Sequence, residues 1–460
     1  MVDRNSTRAS DPPRPGGVGR VEAWFLPLLL ATTVLFAGAG RAPEAGSPAG
    51  EAAPPRSVIL LIADGMGPQQ LGLHLDVADA LGRETAVERA YRVGRTSTVR
   101  TGSANSPVTD SAASATAMAT GRDTDNGRVA VDPTGAPLTT CLEDAVRTGR
   151  RTGIVTTTRL THATPASFCA HVPDRDLENE IAGQMLEQGI DILLGGGAVH
   201  FLGGLGGQDL GGRIRAAGYT LVRSRAELDA APRKGPLLGL FHGDNLPYLV
   251  DRDGGEGEPL HVPGLPEMTR AALERLEGAD GSLLIIEAGR IDHAGHANDA
   301  GALLGEMREF DATLDLLLDH IELHPEVALI VTADHETGGL CLTYRPGRLP
   351  TAEDLRALDG VMRSVPARPT GAVDLAEATA IYGQARLPFV AESAWGWNAP
   401  GLLRSSERFV SFGSQGHSAT PITLFHIGAG APLPSLMTHA DLGARLREWM
   451  SIPLPSGGAR

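Results

Sequence analysis

Short, mostly apolar runs recur along the chain, and each of them leads into polar residues. The runs and the residues that follow them are 57–63 with Asp64, 153–158 with Arg159, 282–286 with Glu287, and 327–333 with Asp334. Runs of this length without polar alternation are typical of strands that are buried on both faces of a parallel sheet. The pattern therefore predicts parallel strands that end in polar, ligand-type residues.

Helical periodicity separates these runs. The predicted helices are 138–147, 177–188, 265–276 and 302–320. Alternating strands and helices are typical of an α/β fold, in which helices flank a mostly parallel central sheet. We predict one large domain over residues 56–455, and we expect its functional site at the carboxyl ends of the strands.

Two kinds of segment interrupt this alternation. Residues 345–410 hold fewer apolar runs and many Pro, Arg and Gly residues, and we interpret them as a small insertion near the mouth of the site. The glycine-rich segments 195–197 and 203–212 lack the spacing of a nucleotide-binding motif, so we expect loops there.

The N-terminus has the composition of an export signal. Four arginines precede the apolar stretch 25–37, and Ala37 and Ala39 fit a small-x-small cleavage site. We expect a signal over residues 1–39 and a flexible linker over residues 40–55. The protein would then be extracytoplasmic, whether secreted, periplasmic or at the cell surface. An uncleaved anchor is the alternative, and only in that case would the protein be attached to a membrane.

The charge balance narrows the choice of partners. The chain carries 40 Lys and Arg against 55 Asp and Glu, for a net charge of −15, and it has no basic tract or aromatic ladder. Nucleic acid is therefore excluded as a partner. Three cysteines allow at most one internal disulfide, so cysteine provides neither a framework nor a metal cage.

A candidate nucleophile stands at the start of an Ala-rich segment. Ser111 follows Asp110 and opens the predicted helix that continues through Thr120. A hydroxyl in the first turn lies beside unpaired N–H groups and the positive end of the helix dipole, where an anion such as a phosphoryl group is favoured. Taken alone, the pattern also fits a helix that is merely capped by Asp110.

Several carboxylates and histidines have the spacing of metal ligands. Asp292 and His296 are four residues apart, which places both on one side of a helical turn. His417, in a Gly- and Ser-rich segment, is the candidate third ligand. Three such ligands can hold zinc and leave a fourth position open to substrate.

Residues at the strand ends suggest two further sites. Asp334 and His335, together with Asp64, would form a second nitrogen- and oxygen-ligated site. Asp64, Thr164 and Glu287 offer only oxygen ligands, which suits magnesium, and Asp64 would be shared between the two sites.

These residues resemble the motifs of the alkaline phosphatase family, in the same order along the chain from about residue 57 to 430. The matching segments are 64–67 (DGMG), 109–116 (TDSAASAT), 162–167 (HATPAS), 287–293 (EAGRIDH), 332–336 (TADHE) and 416–417 (GH). The resemblance implies a phosphate monoester hydrolase that acts through a phosphoserine at Ser111. It also implies two zinc ions and one magnesium ion in the sites above, with Arg175 binding the phosphoryl oxygens in a planar, two-point contact.

Two positions depart from the pattern of some family members. His162 and His293 stand where those members carry Asp and Lys. His162 is therefore a candidate third-site residue that acts directly or through water, and the third ion is less certain to be magnesium. The resemblance leaves open whether the protein forms a homodimer, because the stretch between His335 and His417 is short compared with family members that carry an elaborate crown.

Other readings compete with monoester hydrolysis. A phosphodiesterase, a sulfatase or a phosphomutase of the same metal-dependent superfamily would reuse paired metal sites. A serine esterase is excluded because Ser111 lacks a GxSxG context. From a different class, an extracytoplasmic protein could bind phosphate or metal without turnover.

Overall fold

Strands and helices alternate along the chain, as the apolar runs predict. The computed structural model describes residues 53–204, 207–254, 261–342, 350–360 and 410–454. Its strands are β1 Ser57–Ile62, β2 Arg95–Arg100, β3 Arg151–Arg159, β4 Ile192–Gly196, β5 Gly203–Gly204, β6 Gly207–Asp209, β7 Thr220–Val222, β8 Leu237–Leu240, β9 Ser282–Glu287, β10 Val327–Thr332, β11 Glu336–Thr337, β12 Leu340–Leu342, β13 Val410–Phe412, β14 His417–Ser418, β15 Ile422–Gly428 and β16 Leu436–Thr438.

Helices fill most of the connections between these strands. They are α1 Pro68–Ala80, α2 Ala86–Val93, α3 Ser111–Thr120, α4 Cys141–Arg147, α5 Ala163–Ala166, α6 Glu178–Met185, α7 Ala198–Leu202, α8 Gly211–Ala216, α9 Arg225–Ala230, α10 Leu249–Gly254, α11 Leu265–Leu276, α12 Arg290–His296, α13 Ala300–Leu323, α14 Ala352–Asp359 and α15 His439–Ser451. Side-chain caps define several starts: Thr140 and Thr438 each form a capping box with the acidic residue three positions on.

The central sheet has ten strands in the order β16-β2-β15-β10-β1-β9-β3-β4-β8-β7. β1 lies near the middle and pairs in parallel with β10 on one side and β9 on the other. Strand β15 is antiparallel to both of its neighbours, β10 and β2. The sheet is therefore mostly parallel, and the predicted α/β fold is confirmed.

All four predicted strands form, and they are adjacent in the sheet as β10, β1, β9 and β3. The helix predicted over 265–276 is observed with the same bounds, and those predicted over 138–147 and 302–320 shift by a few residues at their ends. The prediction of glycine-rich loops is wrong in part. Gly195 and Gly196 complete β4, and segment 203–212 contributes β5, β6 and the start of α8.

Other predictions fall largely outside the described residues. The export signal over 1–39, most of the linker over 40–55, and most of the insertion over 345–410 belong to this group. Within the described residues, no helix combines the length and the apolar character that crossing a membrane requires.

Candidate metal centre and nucleophile site

The centre of the sheet brings three acidic residues to one edge. Asp64 follows β1, Glu287 ends β9, and Asp334 follows β10. Because these three strands are parallel neighbours, their carboxyl ends meet. The backbone N–H of Gly65 donates to Oδ1 of Asp334 at 3.1 Å and so joins two of these strand ends directly.

The nucleophile candidate opens a helix that is buried along its whole length. Asp110 caps α3 by accepting a hydrogen bond from the N–H of Ala113 at 2.9 Å, and Ser111 occupies the first turn. Oγ of Ser111 lies 3.2 Å from Nε2 of His335. The predicted serine therefore stands beside the strand-end carboxylates with the helix N-terminus behind it.

Arg175 reaches the site from the loop between α5 and α6. Its Nη1 donates to Oδ2 of Asp110 at 3.0 Å, and its Nη2 lies 3.1 Å from Nε2 of His162. The side chain is about one quarter exposed. The guanidinium is thus held next to the start of α3, where a phosphoryl group on Ser111 would lie.

The three residues of the first predicted metal site, Asp292, His296 and His417, lie together in the structure. Nε2 of His296 lies 3.1 Å from Nε2 of His417 and 3.4 Å from Oδ2 of Asp292. Nδ1 of His417 donates to the carbonyl of Thr109 at 2.9 Å, and Nδ1 of His296 donates to the carbonyl of Gln415. These donations fix the tautomers and leave both Nε2 atoms free to bind a metal ion.

The three residues of the second predicted metal site, Asp64, Asp334 and His335, also lie together. Nε2 of His335 lies 3.1 Å from Oδ2 of Asp334 and 3.7 Å from Oδ1 of Asp64. All three residues are fully buried, and one ligand atom from each lies within 4.8 Å of the others. Asp292, His335 and His417 satisfy the same criterion, so the two groups adjoin each other.

The third group includes a histidine. Asp64, His162 and Glu287 offer ligand atoms within 4.8 Å of one another. Oε2 of Glu287 accepts hydrogen bonds from the hydroxyls of Thr156 and Thr158, so its Oε1 remains available. Thr164 is fully buried on the short helix that follows His162.

Buried polar atoms in these groups lack hydrogen-bond partners among the described residues. They are both carboxylate oxygens of Asp64, Oε1 of Glu287, Oγ1 of Thr164 and Nδ1 of His162. A buried polar atom without a partner is costly, and a bound cation would satisfy these four residues together. The donor set therefore fits metal ions.

Two buried carboxyl groups of the site have raised pKa values. Burial, with Asp334 and other carboxylates nearby, raises the pKa of Asp64 well above its usual value. Burial and the proximity of Asp292 likewise raise the pKa of Asp334. Burial lowers the pKa of His335 and of His417, so these imidazoles are neutral, which metal ligation requires.

Several supporting residues are not among those predicted from the sequence. The sequence indicates that Asp110 can cap α3, but it does not indicate the contact of Asp110 with Arg175. Thr156 and Thr158 orient Glu287, and Thr337 donates to Oδ1 of Asp292. Polar threonines at the end of an otherwise apolar buried strand are a sequence signal for the roles of Thr156 and Thr158.

The chain is similar in sequence and in fold to known proteins. The model of the family described as alkaline phosphatase matches residues 55–364. The streptomycin-6-phosphate phosphatase of Streptomyces griseus is 38% identical over 66% of this chain and 78% of its own length. The repressible alkaline phosphatase of Saccharomyces cerevisiae is 36% identical over 62% of this chain and 55% of its own length. The crystal structure of the Thermus thermophilus alkaline phosphatase is similar with a TM-score of 0.72 at 30% identity, covering 86% of this chain and 91% of that one.

Proposed function

The chain belongs to the alkaline phosphatase family, and we propose that it hydrolyses phosphate monoesters through a phosphoserine at Ser111. The observation that carries the proposal is the position of Oγ of Ser111, 3.2 Å from Nε2 of His335, at the N-terminus of α3. An anion formed there faces the positive end of the helix and the guanidinium of Arg175.

Three metal sites accompany the nucleophile in this proposal. One zinc ion would be held by Asp292, His296 and His417, and a second by Asp64, Asp334 and His335. Magnesium would be held by Asp64, Thr164 and Glu287, with His162 beside them. When bound, these ions would supply Lewis acidity and positive charge to the phosphoryl oxygens and to the oxygens that enter and leave.

The protein's own residues carry out the two half-reactions. Oγ of Ser111 forms a bond to phosphorus while the bond to the leaving alcohol breaks, and a water molecule then replaces the serine oxygen to release phosphate. Arg175 binds two phosphoryl oxygens and stabilises their charge in the transition state. Asp110 holds Arg175 at the start of α3, so the guanidinium does not have to be ordered when substrate binds.

Replacement of the nucleophile tests the proposal. We expect Ser111→Ala to form no phosphoenzyme with a ³²P-labelled monoester and to lose turnover, while its zinc and magnesium content stays near that of the wild type. Metal content is measured by mass spectrometry of the dialysed protein. Ser114→Ala, one turn along the same helix, is the matched control and should still be labelled. Normal labelling of Ser111→Ala would show that the nucleophile is another residue.

Comparison of a monoester with a diester tests the alternative within the superfamily. We expect p-nitrophenyl phosphate to be hydrolysed faster than bis-p-nitrophenyl phosphate, and we expect a chelator to remove the activity and zinc to restore it. Preference for the diester would identify a phosphodiesterase. Bound metal without turnover of either substrate would favour a binding protein.

A narrower substrate class is a second candidate. The relative from Streptomyces griseus is a streptomycin-6-phosphate phosphatase, and this chain has a net charge of −15. A negative protein attracts a phosphate ester whose alcohol part is cationic. Higher kcat/KM for an aminocyclitol phosphate than for p-nitrophenyl phosphate, with a difference that shrinks as salt is added, would support this class.

We also propose that residues 1–39 direct export, so that the enzyme acts outside the cytoplasm. The N-terminal sequence of the protein recovered from its native host distinguishes cleavage near Ala39 from retention of an anchor. A chain that keeps its N-terminus and stays in the cytoplasmic fraction would contradict export.

A further inference from the structure

A buried glutamate beside the metal groups has no role in the function proposed above. Glu336 directly follows His335 and is 3% exposed. Its Oε1 accepts hydrogen bonds from Nε2 of Gln70 at 2.8 Å and from the N–H of Leu340 at 3.3 Å. Its Oε2 accepts from the hydroxyl of Ser418. The carboxylate thus has donors on both oxygens, whereas both oxygens of Asp64 have none among the described residues.

The partners of Glu336 belong to different segments that carry metal ligands. Ser418 adjoins His417, and the pairing of β11 with β14 places Glu336 opposite Ser418. Gln70 lies in the first turn of α1, just after the loop that carries Asp64, and its Oε1 accepts from the N–H of Gly67 at 3.1 Å. One carboxylate therefore connects the segments of Asp64, His335 and His417.

Close packing accompanies these hydrogen bonds. A Cβ added at Gly67 would lie 2.2 Å from Cγ of Glu336, so the backbone of the Asp64 loop rests directly on this side chain. Nε2 of Gln70 also donates to the carbonyl of Thr337 at 2.8 Å. The Asp64 loop, the paired strands β11 and β14, and α1 are held at fixed separations because hydrogen bonds and packing act at the same place.

We propose that Glu336 is a positioning residue of the metal centre, which holds Asp64, His335 and His417 at the separations that binding two metal ions requires. The inference rests on the proposed function, since it concerns the ligands of that site. Metal affinity depends on ligand positions within a fraction of an ångström, and groups that orient ligands typically change affinity by about 10–100-fold when removed. A purely structural role would lower stability without this selective effect on metal.

The test measures metal affinity separately from activity. Zinc affinity is determined by competition with a chromogenic chelator, and the content of each ion by mass spectrometry after dialysis at fixed free zinc. We expect Glu336→Ala and Ser418→Ala each to bind zinc about 10–100-fold more weakly than the wild type. Glu336→Gln keeps the shape and the acceptor for Gln70, and should recover part of the affinity.

A buried glutamate elsewhere provides the matched control. Glu309 is 4% exposed, accepts from the N–H of Leu265 at 2.8 Å and pairs with Arg252, and it contacts none of the ligand segments through these bonds. Glu309→Gln is compared with Glu336→Gln, and the thermal midpoint of every metal-free variant is recorded. Glu309→Gln should lose stability but bind zinc as the wild type does.

The outcomes separate this inference from the proposed function. Wild-type protein that binds no zinc would remove the proposed metal centre itself. Wild-type affinity in both Glu336→Ala and Ser418→Ala, or an equal loss of affinity in Glu309→Gln, would overturn the positioning role. If Glu336→Ala does not fold, Ser418→Ala, which removes one hydroxyl, still decides the question.

Discussion

At the residue scale, Asp110 performs two tasks with its two carboxylate oxygens. Oδ1 caps α3 through Ala113, while Oδ2 accepts from Arg175 at 3.0 Å and from the N–H of Gly127 at 3.0 Å. The side chain next to the nucleophile therefore links the helix to the phosphate-binding arginine. Loss of the carboxylate affects both stability and phosphate binding, and the two effects can be measured separately.

We expect Asp110→Ala to raise the inhibition constant for inorganic phosphate about tenfold, because a charge-assisted hydrogen bond that orders Arg175 is lost. We also expect a loss of about 1 kcal/mol in the free energy of unfolding from the missing cap. Competitive inhibition kinetics and denaturant titration measure these effects. Asp125, whose carboxylate lies 3.4 Å from Nε of Arg128, is the control. Asp125→Ala with the same inhibition constant as Asp110→Ala would contradict the specific role.

At the element scale, the close contact between α3 and α15 fixes the nucleophile. A Cβ on Gly443 would lie 2.0 Å from the carbonyl oxygen of Ala117, so the two helices approach at backbone contact. Gly121, which follows the last residue of α3, has φ +73, and a Cβ added there would lie 2.8 Å from the backbone nitrogen of Ala444. The position of Ser111 depends on this contact because α3 has few long side chains with which to fill a wider gap.

We expect Gly443→Ala to destabilise the protein by about 1–3 kcal/mol and to lower kcat, because the added methyl group must push α3 away from α15. Gly72 lies in α1, and an added Cβ there would meet nothing within 4 Å. Gly72→Ala should therefore raise stability by about 0.5–1 kcal/mol. Denaturant titration of both variants measures the contrast, and a neutral Gly443→Ala would disprove the close contact.

A second contact, between His171 and Glu143, predicts that the stability of the protein depends on pH. Nδ1 of His171 faces the carbonyl of Ala130 at 2.8 Å and its Nε2 faces Oε1 of Glu143, at the start of α4, at 2.9 Å. Burial lowers the pKa of His171, but the two acceptors outweigh burial and the pKa is raised. Burial raises the pKa of Glu143, but His171 and the N–H of Thr140 outweigh it and the pKa is lowered.

The pair of Glu143 and His171 contributes most to the free energy of unfolding at pH values between the ordinary pKa values of its two members. These are 4.5 for Glu143 and 6.5 for His171. Below this window the carboxylate takes up a proton, and above it the imidazolium loses one, so the contribution falls on both sides. We expect His171→Gln to cost the most stability at about pH 5–6 and less at pH 9. Urea titrations of both proteins across this range measure the difference, and a pH-independent cost would refute the ion pair.

At the scale of the whole molecule, the carboxyl ends of the central strands concentrate buried negative charge. Asp64, Glu287, Asp292 and Asp334 are all buried there. Bound cations would neutralise this charge, so metal binding and folding are linked. Removal of the metal ions should therefore lower the stability of the whole protein.

We expect chelation to lower the thermal midpoint of the wild type, with recovery when zinc and magnesium are restored. Asp64→Asn should raise the thermal midpoint of the metal-free protein. It removes a carboxyl group whose ionisation is disfavoured by burial and by neighbouring carboxylates, so the metal-free variant should melt about 2–4 °C above metal-free wild type, yet below metal-loaded wild type. Calorimetry of all four samples is the measurement. A variant that melts below wild type in both states would show that Asp64 has a structural role independent of metal.

Much of this arrangement could be predicted from the sequence, because polar residues that end buried parallel strands must meet at one edge. Asp64, Glu287 and Asp334 are examples, and so is the spacing of Asp292 and His296 on α12. Contacts that depend on loop paths could not be predicted in this way. The hydrogen bonds of Asp110 to Arg175 and of Glu336 to Gln70 join segments whose separation in space has no periodic signature in the sequence.

The central position of Asp64 has a further consequence for how the site fills. Its carboxylate belongs both to the group with Asp334 and His335 and to the group with His162 and Glu287. If both groups hold ions as proposed, the two binding equilibria are thermodynamically coupled through a shared ligand. Occupancy of either site must change the affinity of the other by the same factor. The order in which zinc and magnesium are added would then alter the path of loading but not its end point.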